Sequence, residues 1–364
     1  MRLGVEAALV DGALVPGDVA VEGDRISTVG LEKNGGQGIA VPGFVDLQVN
    51  GFAGVDFLGA DADGYATAGD ALLETGVTAY LPTFITSSED DLVGALRAVP
   101  ANSPHGPRVL GAHLEGPFLS PLRLGTHRPG GRRDPDPALL DRLLDAGPVR
   151  LMTLAPELPG ALDLIGLLQV RGVAVSLGHS DATSAEANAA FDRGARTVTH
   201  VFNAMRPLLH RDPGIVGAAL VRREVVLQAI VDNVHLDTDI VKLLWAVGAG
   251  RLALVTDAIA GASLGDGRYA LGDVEVVVAD DVVRREDGVL AGSTLTMPQA
   301  VRNLVAAGAT LEQALEAASA VPARVLGMPE LGRLFPGGPA DVTVIDDRLE
   351  VVRAIVGGET RVAG

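Results

Sequence analysis

The sequence predicts an α/β fold, a (β/α)8 barrel of the TIM type carrying a small β-sandwich domain formed by both termini. Three observations lead there. The middle of the chain alternates short apolar runs with Ala/Leu-rich helical stretches, the rhythm of parallel βα units. Both ends alternate apolar and polar residues between turn signals instead. Polar, chemistry-bearing side chains recur where the central apolar runs stop, the barrel face on which active sites are built.

The first end carries turn signals at Asp11-Gly12, Pro16-Gly17-Asp18 and Gly23-Asp24, as short antiparallel strands require. Residues 336–364 have the same texture, so residues 1–41 plus 336–364 are assigned to the small β domain and 42–335 to the barrel. Asn34 to Gly38 reads as a flexible connection. Eight barrel strands are expected at 43–50, 77–84, 108–115, 150–157, 173–180, 196–203, 225–233 and 251–258. Helical stretches at 63–76, 136–147, 184–194 and 237–250 separate several of them. Residues 264–290 break the rhythm and read as a β-hairpin near the rim, with no role assigned.

With 364 residues, 48% of them hydrophobic, the chain can bury one large core and a smaller one. A formal charge of −17 and a pI near 4.7 disfavour nucleic acid and anionic membrane, which demand basic surface, but leave room for a small anionic substrate. The absence of cysteine excludes disulfides and thiolate chemistry, so any metal must use His, carboxylate or water. With neither a leader pattern nor a long apolar run, a cytoplasmic protein is expected. Neither a Walker lysine pattern, a Rossmann GxGxxG after the first strand, nor a GxSxG elbow occurs.

Glu115 in GAHLEGPF, His179 in SLGHSDA and His200 in TVTHVFNAM offer a carboxylate and two imidazoles from separate strands, the ligand set of a catalytic zinc-type site. Asp257 ends the last strand in LALVTDA, placed to take a proton from an activated water. His127, in LRLGTHRPGG, could donate to a carbonyl oxygen, although loop chemistry alone favours a solvent-exposed histidine. Arg211 and His235 are candidate anion contacts. His113 shares a strand face with Glu115 and could support it, whereas His105 and His210 read as surface residues. In β geometry Gln48 and Asn50 share the face on which many metal hydrolases carry a His-x-His pair.

PGFVDLQVNG, HLEGPF, GTHRP, LGHSDA, THVFNAM, RDPG, VDNVHLD, VTDA and LAGSTLTM occur in an order that closely resembles the N-acetylglucosamine-6-phosphate deacetylases of the amidohydrolase superfamily, over residues 42 to 300 or so. The resemblance implies hydrolysis of N-acetyl-D-glucosamine 6-phosphate to glucosamine 6-phosphate and acetate. It makes Glu115, His179 and His200 metal ligands, Asp257 the general base that later protonates the amine, and His127 the contact to the acetyl carbonyl. It makes Arg211 and His235 phosphate ligands, with backbone near Asn203 and Ala204 touching the sugar phosphate. Arg211 would reach the neighbouring active site of a homodimer. The wider superfamily holds two metals with His-x-His and a carboxylated lysine; here Gln48 and Asn50 stand at a vestigial second-metal position, and Lys33 and Lys242 are misplaced for a bridge. One divalent ion per subunit is therefore expected, Zn²⁺ first, with Fe²⁺, Mn²⁺ or Co²⁺ as alternatives. Two other readings are a deacetylase of another N-acetylhexosamine 6-phosphate, such as the galactosamine epimer, and a non-catalytic sugar-phosphate-binding protein.

Overall fold

The computed structural model describes residues 1–32, 36–101 and 106–363. Eight parallel barrel strands follow one another in chain order. They are β1 (Phe44–Val49), β2 (Val77–Ile85), β3 (Arg108–Val109 continued by Ala112–Glu115), β4 (Val149–Leu154), β5 (Ala174–Leu177), β6 (Thr197–Val198), β7 (Val226–Ala229) and β8 (Leu252–Leu254). Every expected strand is present, but the later ones are shorter than the apolar runs that announce them. Closure occurs just past β8, where Asp257 N–H donates to Gln48 O at 2.9 Å and Asn50 N–H to Ala258 O at 2.8 Å. β3 is split at Leu110–Gly111, where Gly111 has φ +126° and a Cβ would lie 2.4 Å from Pro148 O. Only glycine takes that conformation at that distance.

The helices that follow the strands in turn are α1 (Ala62–Glu74), α2 (Glu89–Ala98), α3 (Pro137–Ala146), α4 (Ala161–Val170), α5 (Ser184–Arg193), α6 (Gly214–Val221), α7 (Thr238–Gly248) and α8 (Met297–Ala306). Short polar residues start most of them. Asp61, Ser88, Asp136 and Asp237 each accept a first-turn N–H, and Thr183 and Glu186 form a reciprocal capping box on α5. α3 shows the usual logic, with Pro137 opening the helix and Leu139, Leu140 and Leu143 falling on one buried face. β2 is buried along its whole length, as a strand covered on both faces must be.

The chain ends form the second unit. A six-stranded sheet runs in the order Ala13–Pro16, Ala7–Val10, Ile39–Pro42, Val342–Ile345, Val351–Val356, Glu359–Ala363. The ribbon Asp18–Glu22 with Arg25–Leu31 packs on it through Val19, Val21 and Ile26, which share a core with Ala40, Val342, Val344 and Ile355. At the first turn Asp11 (φ +47°) and Gly12 (φ +77°) are both left-handed, the conformation a two-residue hairpin loop demands. Of the connection expected at Asn34 to Gly38, Asn34 and Gly35 lie outside the described residues, as do Lys33 and His105.

The expected hairpin at 264–290 is a three-stranded antiparallel meander, Gly267–Leu271, Val274–Ala279 and Val282–Arg284. Its inner face packs Leu271, Val274, Val276, Val278 and Val283 against Ile85 and Ile259, beside the barrel mouth. Burial alternates along Val274–Ala279, one face in and one out, and the third strand pairs with the backbone N–H and C=O groups of its second edge. Among the described residues no helix is long and apolar enough to cross a membrane.

Candidate functional site

Glu115 closes β3, and His179, His200 and Asp257 follow β5, β6 and β8 by a few residues. His179 (φ +47°), His200 (φ +26°) and Asp257 (φ +52°) are all left-handed. Non-glycine residues pay about 1–3 kcal/mol each for sparsely populated backbone conformations, which persist where the surroundings over-determine them. Here the sharp turn lets a side chain at a short strand's end aim back over the barrel axis.

Glu115 Oε1 lies 3.0 Å from His179 Nε2 and 2.9 Å from His200 Nε2, and the two Nε2 atoms are 3.1 Å apart. All three residues are buried. His179 Nδ1 is 3.0 Å from Arg123 O, which can only accept, so Nδ1 carries the proton of the neutral ring and Nε2 turns a lone pair inward. Burial, with His127 and His200 nearby, pulls His179 down to about 4 against the opposing pull of Glu115, so the ring is neutral near pH 7. Burial opposes ionisation of Glu115, but the imidazoles of His127, His179 and His200 gathered around it outweigh that and hold the carboxyl well below its ordinary value. A carboxylate and an imidazole lone pair this close call for a cation between them. Ligands about 2.0–2.1 Å from a tetrahedral ion stand about 3.3 Å apart, close to the spacing found. The cluster can hold one metal ion.

Gln48 and Asn50 face the same centre. Gln48 Nε2 donates to Glu115 Oε1 at 3.2 Å and Asn50 Nδ2 to Asp257 Oδ1 at 2.7 Å, so each amide holds a carboxylate directly. Burial and then the Glu115 charge raise Asp257 to about 6, against the opposing influence of His200, His235 and Asn50. His127 is 1% exposed, so the exposed setting suggested by its loop is incorrect. Thr86 N–H donates to its Nδ1 at 3.2 Å, which leaves Nε2 as the N–H, 3.6 Å from Glu115 Oε2. That tautomer points a donor into the cavity.

His113 makes no hydrogen bond to Glu115. It bonds instead to Thr83 and Thr153, in a polar chain that continues to Thr199 and Ser176 beneath the site. Lys242 lies exposed on α7, paired with Asp239 at 3.0 Å, far from any bridging role. His210 is exposed.

A cavity of about 340 Å³ opens above the cluster, lined also by Asn50, His127, Asn203, Ala204, His235 and Asp257. His235 Nδ1 pairs with Asp232 Oδ2 at 2.7 Å, which turns Nε2 the other way. Arg211 is exposed and does not line this cavity. Reasoning from sequence missed Arg123, Thr126, Leu290 and Gly292 among the lining residues. Thr126 sits beside His127 in GTHRP and carries a buried hydroxyl without a partner, while Leu290 and Gly292 come from the LAGSTLTM stretch that follows the meander. Arg285 ties the two sides of the mouth together, donating to Gly125 O and Thr126 O at 3.4 Å each.

The model of the amidohydrolase family matches residues 39–361. Bovine N-acetylglucosamine-6-phosphate deacetylase is 39% identical over 377 residues, covering 96% of this chain and 92% of its own. N-acetylgalactosamine-6-phosphate deacetylase of Escherichia coli O157:H7 is 38% identical over 325 residues, 87% of this chain and 86% of its own. A mutant N-acetyl-D-glucosamine-6-phosphate deacetylase from Mycobacterium smegmatis, solved in complex with N-acetyl-D-glucosamine-6-phosphate, superposes with a TM-score of 0.94 at 37% identity, covering 100% of this chain and 99% of that one.

Proposed function

The chain belongs to the amidohydrolase family, and from that premise we propose that it hydrolyses the acetamide of N-acetyl-D-glucosamine 6-phosphate, releasing acetate and glucosamine 6-phosphate. The observation that carries the chemistry is the convergence of Glu115 Oε1, His179 Nε2 and His200 Nε2 under a cavity that also presents Asp257 and His127. Glu115, His179 and His200 would hold a divalent ion, which would supply the Lewis acidity that makes water nucleophilic near neutral pH. We assign one ion per subunit, Zn²⁺ first, with Fe²⁺, Mn²⁺ or Co²⁺ compatible with the same donors.

Asp257 takes the proton of the attacking water on the oxygen that Asn50 does not hold, and returns it to the departing nitrogen. His127 gives a hydrogen bond from its Nε2–H to the oxygen on which charge develops, its tautomer set by Thr86. Gln48 keeps the Glu115 carboxylate oriented, the task left to the vestigial second-metal position. His235 and the turn at Asn203 and Ala204 receive the sugar phosphate, and Arg211 joins them from the partner of a homodimer, which accounts for its exposure in the single chain. We place the enzyme in the cytoplasm, a reading supported by its sugar-phosphate substrate.

The test is acetate release from N-acetylglucosamine 6-phosphate with metal content measured on the same sample. Turnover with one bound ion per chain is the expected result. Two ions overturn the one-metal assignment, and no ion with no turnover favours a binding protein. The similarity to the galactosamine-6-phosphate enzyme motivates a second reading, since metal and phosphate contacts do not specify the configuration at C4. A higher kcat/KM on N-acetylgalactosamine 6-phosphate would establish it.

A further inference from the structure

We propose that Arg123 is a second, in-chain contact for the anionic end of the substrate, held ready by Asp181. The inference rests on the phosphosugar reading above. Among the described residues that line the cavity, Arg123 is the only lysine or arginine. A phosphate entering a chain of net charge −17 needs a local cation, and here one is supplied without the partner subunit.

The guanidinium is fixed but not used up. Its Nε and Nη2 both approach Asp181 Oδ1, at 2.8 and 2.6 Å, and its Nη1 has no hydrogen-bond partner among the described residues. The side chain remains one-third exposed. Asp181 is shared, because Arg206 Nη1 takes its other oxygen at 3.1 Å while also pairing with Asp212 at 2.6 Å. One carboxylate therefore orients two guanidinium groups, and Asp212 supplies the second negative charge of the set, so what Arg123 keeps free is the donor Nη1 rather than an unbalanced charge. The backbone is anchored as well, since Arg123 O accepts from His179 Nδ1. The neighbouring Gly125 lies against Ala204: a Cβ there would stand 3.6 Å from that of Ala204. Arg123 thus stands on the side of the mouth that carries the Asn203–Ala204 turn, with planar donors suited to phosphate oxygens.

A merely structural Arg123 would hold Asp181, and through the following turn the ligand His179. The two roles separate in kinetics. With Arg123→Gln, KM for N-acetylglucosamine 6-phosphate should rise roughly ten- to hundredfold with kcat within a few-fold, the signature of lost binding common to ground and transition states. Turnover of unphosphorylated N-acetylglucosamine, metal content and pH profile should match the unsubstituted enzyme, and inorganic phosphate should inhibit the variant more weakly. Arg123→Lys, which keeps charge and the Asp181 pair, should recover part of the loss. Equal losses on both sugars, loss of metal, or an unchanged KM would each overturn the proposal while leaving the phosphosugar reading intact. An unsubstituted enzyme indifferent to the phosphate would overturn that reading and this inference with it.

Discussion

At the scale of single residues, Asp257 is where function and stability pull apart. Burial raises its carboxyl to about 6, so the folded chain binds a proton more tightly than the unfolded chain, whose carboxyl titrates near 3.9. The sign follows from linkage: below about pH 4 both states are protonated and nothing is lost, and stability declines as pH rises from there through about 6. Asp257→Asn should therefore raise the melting temperature of metal-free protein at pH 8 by a few degrees, and hardly at all at pH 4. The same variant should lose roughly 10²–10⁴-fold in kcat; near-normal turnover would remove Asp257 from the mechanism. To act as the proposed base Asp257 must be ionised, so kcat/KM should fall as pH drops below about 6, or lower still where a bound cation favours the carboxylate; an acid limb above pH 7 would contradict this. Glu115, His179, His200 and Asp257 were legible in the sequence because each interrupts or follows an apolar run. Their left-handed backbone was not, since no residue type announces it. Arg123 was hidden because LRLGTH reads like any surface loop, and the burial of His127 depends on packing from Thr86, distant in sequence.

At the scale of elements, short strands and sharp exits do the positioning. β5 ends at Leu177, and Gly178 then passes so close to its neighbours that an added Cβ would meet Thr153 Cγ2 at 2.9 Å and Thr199 Cβ at 3.0 Å. Those threonines belong to the polar chain below the site, and Thr199 precedes the proposed metal ligand His200. Gly178→Ala should leave the barrel folded at a cost of about 1–3 kcal/mol from overpacking. It should displace His179 relative to His200, so metal retention after dialysis should fall by roughly tenfold or more. A variant with unchanged metal content and kcat would show that the turn absorbs the methyl group. Strand positions were readable from periodicity, but strand lengths were not: the run expected at 196–203 shrinks to Thr197–Val198 because His200 leaves the ladder to face the cavity. The meander was read as a hairpin for a similar reason. Its third strand, Val282–Arg284, is too short to declare itself, and its partner surface on Ile85 and Ile259 comes from elsewhere in the chain.

At the scale of the whole molecule, the barrel begins where the terminal sheet ends, so the far end of the chain underwrites the start of the active site. Ile39–Pro42, which leads into β1 and thus to Gln48 and Asn50, pairs antiparallel with Val342–Ile345 and parallel with Ala7–Val10. Arg108 grips Asp341 with Nε at 2.6 Å and Nη2 at 3.0 Å, and Thr343 Oγ1 donates to Gly76 O at 2.8 Å, so strands β2 and β3 are tied to the same interior strand of that sheet. The alternation at both ends makes this second unit legible; which strands pair across it is not, because parallel and antiparallel neighbours look alike in sequence. Removing residues 342–364 would delete no site residue, yet it would strip Val342, Val344, Ile345, Ile355 and Val356 from buried positions. At about 1.5–3 kcal/mol for each large apolar side chain, that loss approaches the ~5–15 kcal/mol by which whole domains are stable. The truncated chain should accumulate as insoluble or protease-sensitive material without measurable turnover, whereas Thr343→Val, which removes one hydrogen bond at nearly constant volume, should cost only about 1 kcal/mol and keep kcat intact. A soluble, active truncation would show that the barrel holds Gln48 and Asn50 in place through β2 and the β8 closure alone.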